Sequence, residues 1–347
     1  MSDKYINILM TGGGAPGAPG ILKCLQANPV FKITVADANP HAVGRYLNGN
    51  FEEIPLAGSE NFIDSIFSLC KKKNIHAVLP LVTKELLPLA LNKQKFNSAN
   101  IKVLVSDAPS LEIAINKSRL YEFLQWRAIE VPEFRIIETI DQFRQAVSEL
   151  GYPKNKVCFK PSVSNGSRGF RVIRKDINEL QLLFNEKPEK NTFITYEEAT
   201  RILSLGSFPE LLVSEYLPGE EYSVDCLVNR GKPILIVPRL RKKMVNGISV
   251  EGEFIYEENI ISYCSDILKA LHLHGNIGIQ VKKSSAGKFL ILEINPRVQG
   301  TIVAALGAGV NLPLLALKQE LKLSINPEEL QLTWGTQFSR YWQEVYH

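Results

Sequence analysis

Gln280-Val281-Lys282-Lys283-Ser284-Ser285-Ala286-Gly287-Lys288-Phe289-Leu290-Ile291-Leu292-Glu293-Ile294-Asn295-Pro296-Arg297 reads as two strands around a tight turn. Apolar runs flank a small-residue centre, the usual composition of a hairpin. A four-residue turn over Ser284–Gly287 sets Lys283 opposite Lys288 and Gln280 opposite Ile291. Side chains alternate by two, so Gln280, Glu293 and Asn295 are expected on one sheet face. Three oxygen donors there suit magnesium, a hard cation that takes a few protein ligands and draws the rest from phosphate and water. A polar outer face would explain the same residues. Arg297, just past Pro296, favours the metal reading, because a guanidinium there can grip a phosphate or a developing oxyanion through two parallel bonds.

Upstream, Val157–Pro161 predicts a strand that ends on Lys160 and returns as Phe170–Arg174. Between them runs Ser162-Val163-Ser164-Asn165-Gly166-Ser167-Arg168-Gly169. A loop so poor in bulky side chains can fold over a polyphosphate and offer its N–H groups, with Gly166, Ser167 and Gly169 as natural donors. Lys160, and Lys117 at a helix start, supply positive charge. A solvent-exposed hairpin tip is the plain alternative. Glu215-Tyr216-Leu217-Pro218-Gly219 leaves another strand at a proline, so its backbone can pair with an adenine edge. Glu221 is placed to accept ribose hydroxyls. Arg239 and Arg241, two apart on a strand, point the same way and can hold a γ-phosphate or a substrate carboxylate. His272 and His274 are expected to sit at a helix end, where the helix dipole accounts for them.

The first 110 residues alternate apolar runs, Ile6–Thr11, Phe31–Ala36, Ala77–Val82 and Ile101–Val105, with helical patterns. The clearest of these is Phe62, Ile63, Ile66, Phe67, Leu69 and Cys70 after a candidate Ser59 cap. This is the pattern of a parallel sheet covered by helices. Gly12-Gly13-Gly14-Ala15-Pro16-Gly17, with Asp37 beyond it, has the spacing of a dinucleotide turn, but that spacing alone is a weak signal. A tight strand-to-helix turn is the competing reading. Helical stretches are expected over Ser110–Arg127, 178 to 187 and 196 to 205, and an apolar helix-prone run over Ile302–Leu321.

The 347 residues suit several lobes, not one core. With 45% hydrophobic and 22% charged residues, the chain has the composition of a folded globular protein. Its net charge of +4 is spread without a clustered basic face, so no nucleic-acid partner is expected. Five scattered cysteines form no zinc pattern and suit a reducing compartment. With no signal peptide visible and no apolar run near the ~20 residues that span a bilayer, a cytoplasmic protein without a membrane partner is expected.

Asn116-Lys117, Phe159-Lys160-Pro161 with Gly166-Ser167-Arg168-Gly169, Glu215-Tyr216-Leu217-Pro218-Gly219-Glu220-Glu221-Tyr222, and Glu293-Ile294-Asn295-Pro296-Arg297 together resemble the ATP-grasp superfamily. The nearest look is that of the carbamoyl-phosphate-synthase large-subunit type. The resemblance covers nearly the whole chain, in the family's order. It implies an α/β fold with α+β grasp lobes: a Rossmann-like parallel-sheet domain over 1–112, a small lobe with a glycine-rich lid over 113–190, a large lobe with the metal site over 191–325, and a C-terminal segment over 326–347. It implies that Lys117 and Lys160 contact ATP phosphates, that Glu215 and the backbone at Leu217 bind adenine, and that Glu221 binds ribose. It further implies that Gln280, Glu293 and Asn295 hold Mg2+, one ion or two, with Mn2+ as a substitute, and that Arg297 faces the reacting groups. The family's usual acidic residue before the first lysine is Asn116 here.

The expected activity is ATP-dependent phosphorylation of a carboxylate to an acyl phosphate, which a small-molecule amine then attacks. Competing readings are phosphorylation of a small acid such as carbamate, a nucleotide-binding regulator without turnover, and, at Gly12–Gly17, a dehydrogenase. A homodimer is the default for a soluble enzyme.

Overall fold

The computed structural model describes residues 5–164, 168–177, 192–245 and 247–347. Its first sheet is parallel, with strands β1 (Ile6–Thr11), β2 (Phe31–Asp37), β3 (Phe51–Glu53), β4 (Ala77–Pro80) and β5 (Lys102–Val103) in the order β3-β2-β1-β4-β5. Strand alternation explains why it is covered on both faces. Ile8 and Met10 pack with Ile21 and Leu25 of the helix Ala18–Gln26, while Leu9 packs with Ile66, Leu89 and Phe96 on the opposite side. The helix Phe62–Lys72 forms on the predicted spacing, but Ser59 contributes its carbonyl, which accepts the Phe62 N–H at 3.0 Å, and not a side-chain cap.

The stretch expected as one helix over Ser110–Arg127 is two, Ala108–Ile115 and Lys117–Trp126. Asn116 divides them. Its backbone is extended and its Oδ1 accepts the Arg119 N–H at 3.1 Å, an N-cap that restarts the helix with Lys117 at its first position. An aspartate would cap equally well, so the asparagine keeps the local structure that the family's acidic residue would give.

A second sheet contains β6 (Phe134–Ile137), β7 (Val157–Pro161), β8 (Arg171–Ile173), β9 (Phe193–Ile194) and β10 (Leu211–Glu215), in the order β6-β10-β7-β8-β9. The expected β7–β8 hairpin is present, with Val157 opposite Ile173 and Phe159 opposite Arg171. Helix Tyr196–Leu203 covers part of this sheet. The helix expected over 178 to 187 lies outside the described residues.

The third sheet consists of β11 (Glu221–Asn229), β12 (Lys232–Val245), β13 (Ile248–Phe254), β14 (Gly275–Lys283), β15 (Phe289–Asn295) and β16 (Gln337–Ser339), in the order β15-β14-β11-β12-β13-β16. The apolar run Ile302–Leu321 is broken at Gly309 into a 3-10 helix, Ile302–Ala308, and an α-helix, Leu312–Glu320, both buried in the core of the N-terminal sheet. Among the described residues no single helix is long and apolar enough to cross a membrane.

The chain divides into two compact units: residues 1–115, 221–281 and 293–347, and residues 116–220 with 282–292. This differs from the division expected from the sequence. Strand β10, which that division gave to a lobe beginning at 191, hydrogen-bonds between β6 and β7 in the second unit, whereas the N-terminal domain belongs to the same unit as most of the third sheet.

Candidate active site

In the second unit Lys117 is 5% exposed, and its Nζ donates to the Ser164 carbonyl at 2.9 Å, at the start of the glycine-rich loop. Its backbone N–H donates to the Ser162 carbonyl at 2.8 Å. Lys160, at the end of β7, donates through Nζ to the Leu292 carbonyl at 2.9 Å and lies 5.6 Å from the Tyr121 ring centre. Helix start, loop and strand end thus bring both cations to one side of the sheet. Gly169 is exposed, while Gly166 and Ser167 lie outside the described residues.

Glu215 ends β10, and its carboxylate accepts the Glu133 N–H at 3.0 Å. Leu217 is buried, and the Gly219 N–H donates to the Lys283 carbonyl at 3.0 Å, which fixes the Pro218–Gly219 turn to the β14–β15 hairpin. Lys282 stands 4.9 Å from the Tyr216 ring centre.

That hairpin turns one residue away from the expected place. Ser284 donates to the Lys288 carbonyl at 2.7 Å, Gly287 donates to the Ser284 carbonyl at 3.0 Å, and Gly287 has φ of +82°. The pairing is therefore Ser284 with Lys288, not Lys283 with Lys288, because a left-handed glycine after a tight turn inserts a bulge. Continued unbroken, this register would oppose Gln280 to Leu292. The pleat is not regular there: Tyr121 Oη donates to the Ile291 carbonyl at 2.7 Å, and Lys160 takes the next carbonyl, Leu292, whereas a regular strand turns successive carbonyls to opposite sides.

In the first unit Glu293 and Asn295 are half-buried on β15. Asn295 Nδ2 donates to Glu293 Oε1 at 3.1 Å, which leaves the asparagine Oδ1 as the atom able to meet a cation. Gln280 is half-buried on the neighbouring strand. Among the described residues no group of three or more His, Cys, Asp or Glu is placed to hold a metal. One carboxylate and two amides fit magnesium only where phosphate and water complete its shell. Arg297 is anchored by Nε to Thr83 Oγ1 at 3.0 Å and by Nη1 to the Val298 carbonyl at 2.9 Å. Burial lowers its guanidinium pKa, and the charge of Glu293 opposes that.

A ladder of charge runs along one face of β11 and β12. Arg241 pairs with Glu221, and Arg239 pairs through Nη2 with Asp225 Oδ2 at 3.2 Å. Both Arg239 and Asp225 have no exposed side-chain surface. Burial pushes the Asp225 carboxyl up and the Arg239 guanidinium down, each opposed by the other's charge. Arg239 is thus a sealed core cation, and the ribose candidate Glu221 is already engaged by Arg241.

The turn Gly12–Gly17 is explained by packing. A Cβ on Gly17 would stand 2.4 Å from the Cα of Gly300, backbone against backbone. The Asp37 carboxylate accepts the Gly14 and Asn39 N–H groups, both at 2.8 Å, and so is turned into its own loop. Gly17→Ala should destabilise the chain by about 1–3 kcal/mol in urea unfolding, while Gly58→Ala, with nothing within 4 Å, should be neutral. Equal effects would contradict the packing account.

Several residues escaped the sequence reading. Glu85, 6% exposed in the first turn of the helix Thr83–Leu91, accepts a short 2.5 Å hydrogen bond from Thr11 Oγ1 at the carboxyl end of the parallel sheet. Burial raises its pKa from 4.5 to about 7, and the charge of Asp37 adds to this. A carboxyl that ionises later in the folded than in the unfolded chain gives stability that is present below pH 4.5 and lost as pH rises through 7. Glu85→Gln should therefore become more stable relative to the parent between pH 5 and 8, by up to about 3 kcal/mol. A difference that stays flat across that range would exclude the shifted carboxyl. Gln299, 8% exposed with an unpartnered Nε2, continues the two-residue spacing of Glu293, Asn295 and Arg297.

His274 is held by more than a helix end. The preceding helix stops at Ala270, and His274 Nε2 meets Glu320 at 2.7 Å while Nδ1 accepts the Arg230 N–H at 3.3 Å. All five cysteines are free and buried, and burial raises Cys24 and Cys70 to about 12, so both stay thiols.

Residues 207–338 match the family model described as ATP-grasp in the biosynthetic pathway with Ter operon, and residues 8–104 match the PylC-like N-terminal domain. The carbamoyl phosphate synthase large chain of Clostridium acetobutylicum is 23% identical over 312 residues, covering 86% of this chain and 27% of that one. The chain thus spans little more than a quarter of that relative's length. An N5-carboxyaminoimidazole ribonucleotide synthetase bound to ADP superposes with a TM-score of 0.71 at 16% identity, over 96% of this chain and 81% of the other. An L-amino acid ligase from Bacillus licheniformis gives 0.65 at 16% identity, over 95% and 78%.

Proposed function

We propose that this chain, whose residues 207–338 are an ATP-grasp domain and whose residues 8–104 are a PylC-like N-terminal domain, is a ligase that phosphorylates a carboxylate with ATP and joins it to an amine. The observation that carries this reading is the Glu293–Asn295 pair with Arg297 two residues on, anchored to Thr83. It sets oxygen donors for a cation next to a guanidinium for an anion.

In this reading Lys117 and Lys160 neutralise the ATP phosphates, the loop 162–169 covers them, and Glu215 and the Leu217 backbone receive the adenine. Glu221, oriented by Arg241, receives the ribose. Gln280, Glu293 and Asn295 hold magnesium, which supplies charge neutralisation at the phosphates. Arg297 steadies the carboxylate as its oxygen attacks the γ-phosphorus and ADP leaves. Arg241 faces the acid substrate, and Arg239, sealed beside Asp225, holds that face of the sheet without meeting it. No enzyme nucleophile is needed, because positioning and fixed charge carry the reaction. The amine then displaces phosphate from the acyl group.

The test is ADP release from Mg-ATP, screened over carboxylic acids and amines singly and in pairs. ADP that requires one acid and one amine together is the expected result. ADP with an acid alone, and an isolable acyl phosphate, would replace it with phosphorylation of a small acid, and ATP binding without turnover on any pair would favour a regulator.

A further inference from the structure

Lys282 belongs to the second unit and lies next to the turn that leaves β10. Two backbone hydrogen bonds hold it there. The Gly219 N–H donates to the Lys283 carbonyl at 3.0 Å, and the Lys283 N–H donates to the Glu220 carbonyl at 2.9 Å. With its neighbour tied at both ends, the Lys282 side chain starts from a fixed point beside that turn. Its ammonium stands 4.9 Å from the Tyr216 ring centre, close enough for the negative face of the ring to hold it. Lys156 comes to 5.9 Å from the same ring and is exposed.

The second sheet fixes the side on which this cation sits. Val157, Phe159, Leu211 and Val213 point into the core with Phe143 and Val147 of the helix Ile140–Glu149, so Cys158, Lys160 and Ser214 occupy the opposite face. The charges of Lys160 and Lys282 both act on the Cys158 thiol, which puts the Lys282 ammonium on the face that carries Lys160. Lys282 is half-buried, yet its ammonium takes no ion pair or hydrogen bond among the described residues and is not sealed from solvent. An ammonium carries three donors and no acceptor, so a ligand that meets it there must bring an acceptor.

We infer that Lys282 is a specificity-determining residue that donates to a ring nitrogen of the nucleotide base. A backbone N–H beside a C=O at the Leu217 turn matches N1 and N6 of adenine, which leaves N3 and N7 as the acceptors of the base. A fixed ammonium next to the same turn supplies the charged donor for one of them. This assignment rests on the ligase reading above.

Calorimetric titration of the full chain with Mg-ATP, 3-deaza-ATP and 7-deaza-ATP, each with magnesium and without acid or amine, tests it, since each analogue lacks one of the two nitrogens. The parent should bind one analogue roughly tenfold or more weaker than ATP, the loss of one hydrogen bond from a charged donor. Lys282→Met keeps an unbranched stem beside Tyr216 and removes the donors. It should bind ATP about tenfold more weakly than the parent does, and that analogue as well as it binds ATP. A parent that binds both analogues as tightly as ATP, a Lys282→Met chain that still prefers ATP to the analogue, or one that binds no nucleotide would each overturn the base contact. The ligase reading survives all three, because the parent still binds Mg-ATP. A parent that takes no Mg-ATP would remove the ligase reading and the contact with it.

Discussion

Glu293→Gln should lower ATP turnover by on the order of 10²- to 10³-fold while leaving thermal unfolding almost unchanged. The substitution keeps the side chain's shape and an oxygen able to accept from Asn295 Nδ2, so the local hydrogen bond survives. What it removes is the single carboxylate of the proposed magnesium set. With only amide oxygens left at Gln280 and Asn295, the cation loses its one charged protein ligand and the phosphates lose a fixed positive partner. Steady-state ADP formation, paired with a circular dichroism melt, checks both halves. Near-parental turnover would remove the metal assignment, and a collapsed melt would show that the residue is structural.

Asp225→Ala should destabilise the fold by about 3–5 kcal/mol, because it strands the Arg239 guanidinium without a counter-charge where neither side chain reaches solvent. The same size of loss is expected for Arg239→Ala. Replacing both, as Asp225→Leu with Arg239→Met, should restore most of it, since the loss arises from one unpaired buried charge and not from the missing attraction. Urea unfolding midpoints at unchanged slope give the comparison. A double variant no better than the singles would mean that the pair stabilises in its own right.

That ion pair also shows why the site was only partly legible. Across the turn that joins the two strands, Asn229 pairs with Lys232. Extended without interruption, that register opposes Asp225 to Ile236 and puts Arg239 on the other face. A shift at Leu227/Val228 instead opposes Asp225 to Val237, which brings the two charges to one side. A bulge inside an apolar run leaves no trace in the residues around it. The hairpin after Lys283 repeats the lesson, because one left-handed glycine moved the expected pairing by a residue.

Longer regularities were readable. The strands Ile6–Thr11 and Phe31–Asp37 stand close to where their apolar runs put them, because each packs on both faces and tolerates few polar residues. Phe51–Glu53 and Gln337–Ser339 are three residues each, too short for a period of two to register, and they are held by pairing to a neighbour. Glu85 was hidden for another reason. On a helix whose other residues are largely apolar it looks like an ordinary exposed charge, and only the fold places it beneath Thr11.

The most direct test of carboxylate activation is to incubate the chain with Mg-ATP, a carboxylic acid that supports turnover, and hydroxylamine in place of the amine. The account predicts an acyl hydroxamate formed in equal amount with ADP, and both products lowered together, by on the order of 10²- to 10³-fold, in Glu293→Gln. Hydroxamate accompanied by AMP and pyrophosphate, or ADP without hydroxamate, would contradict an acyl phosphate and with it the central claim.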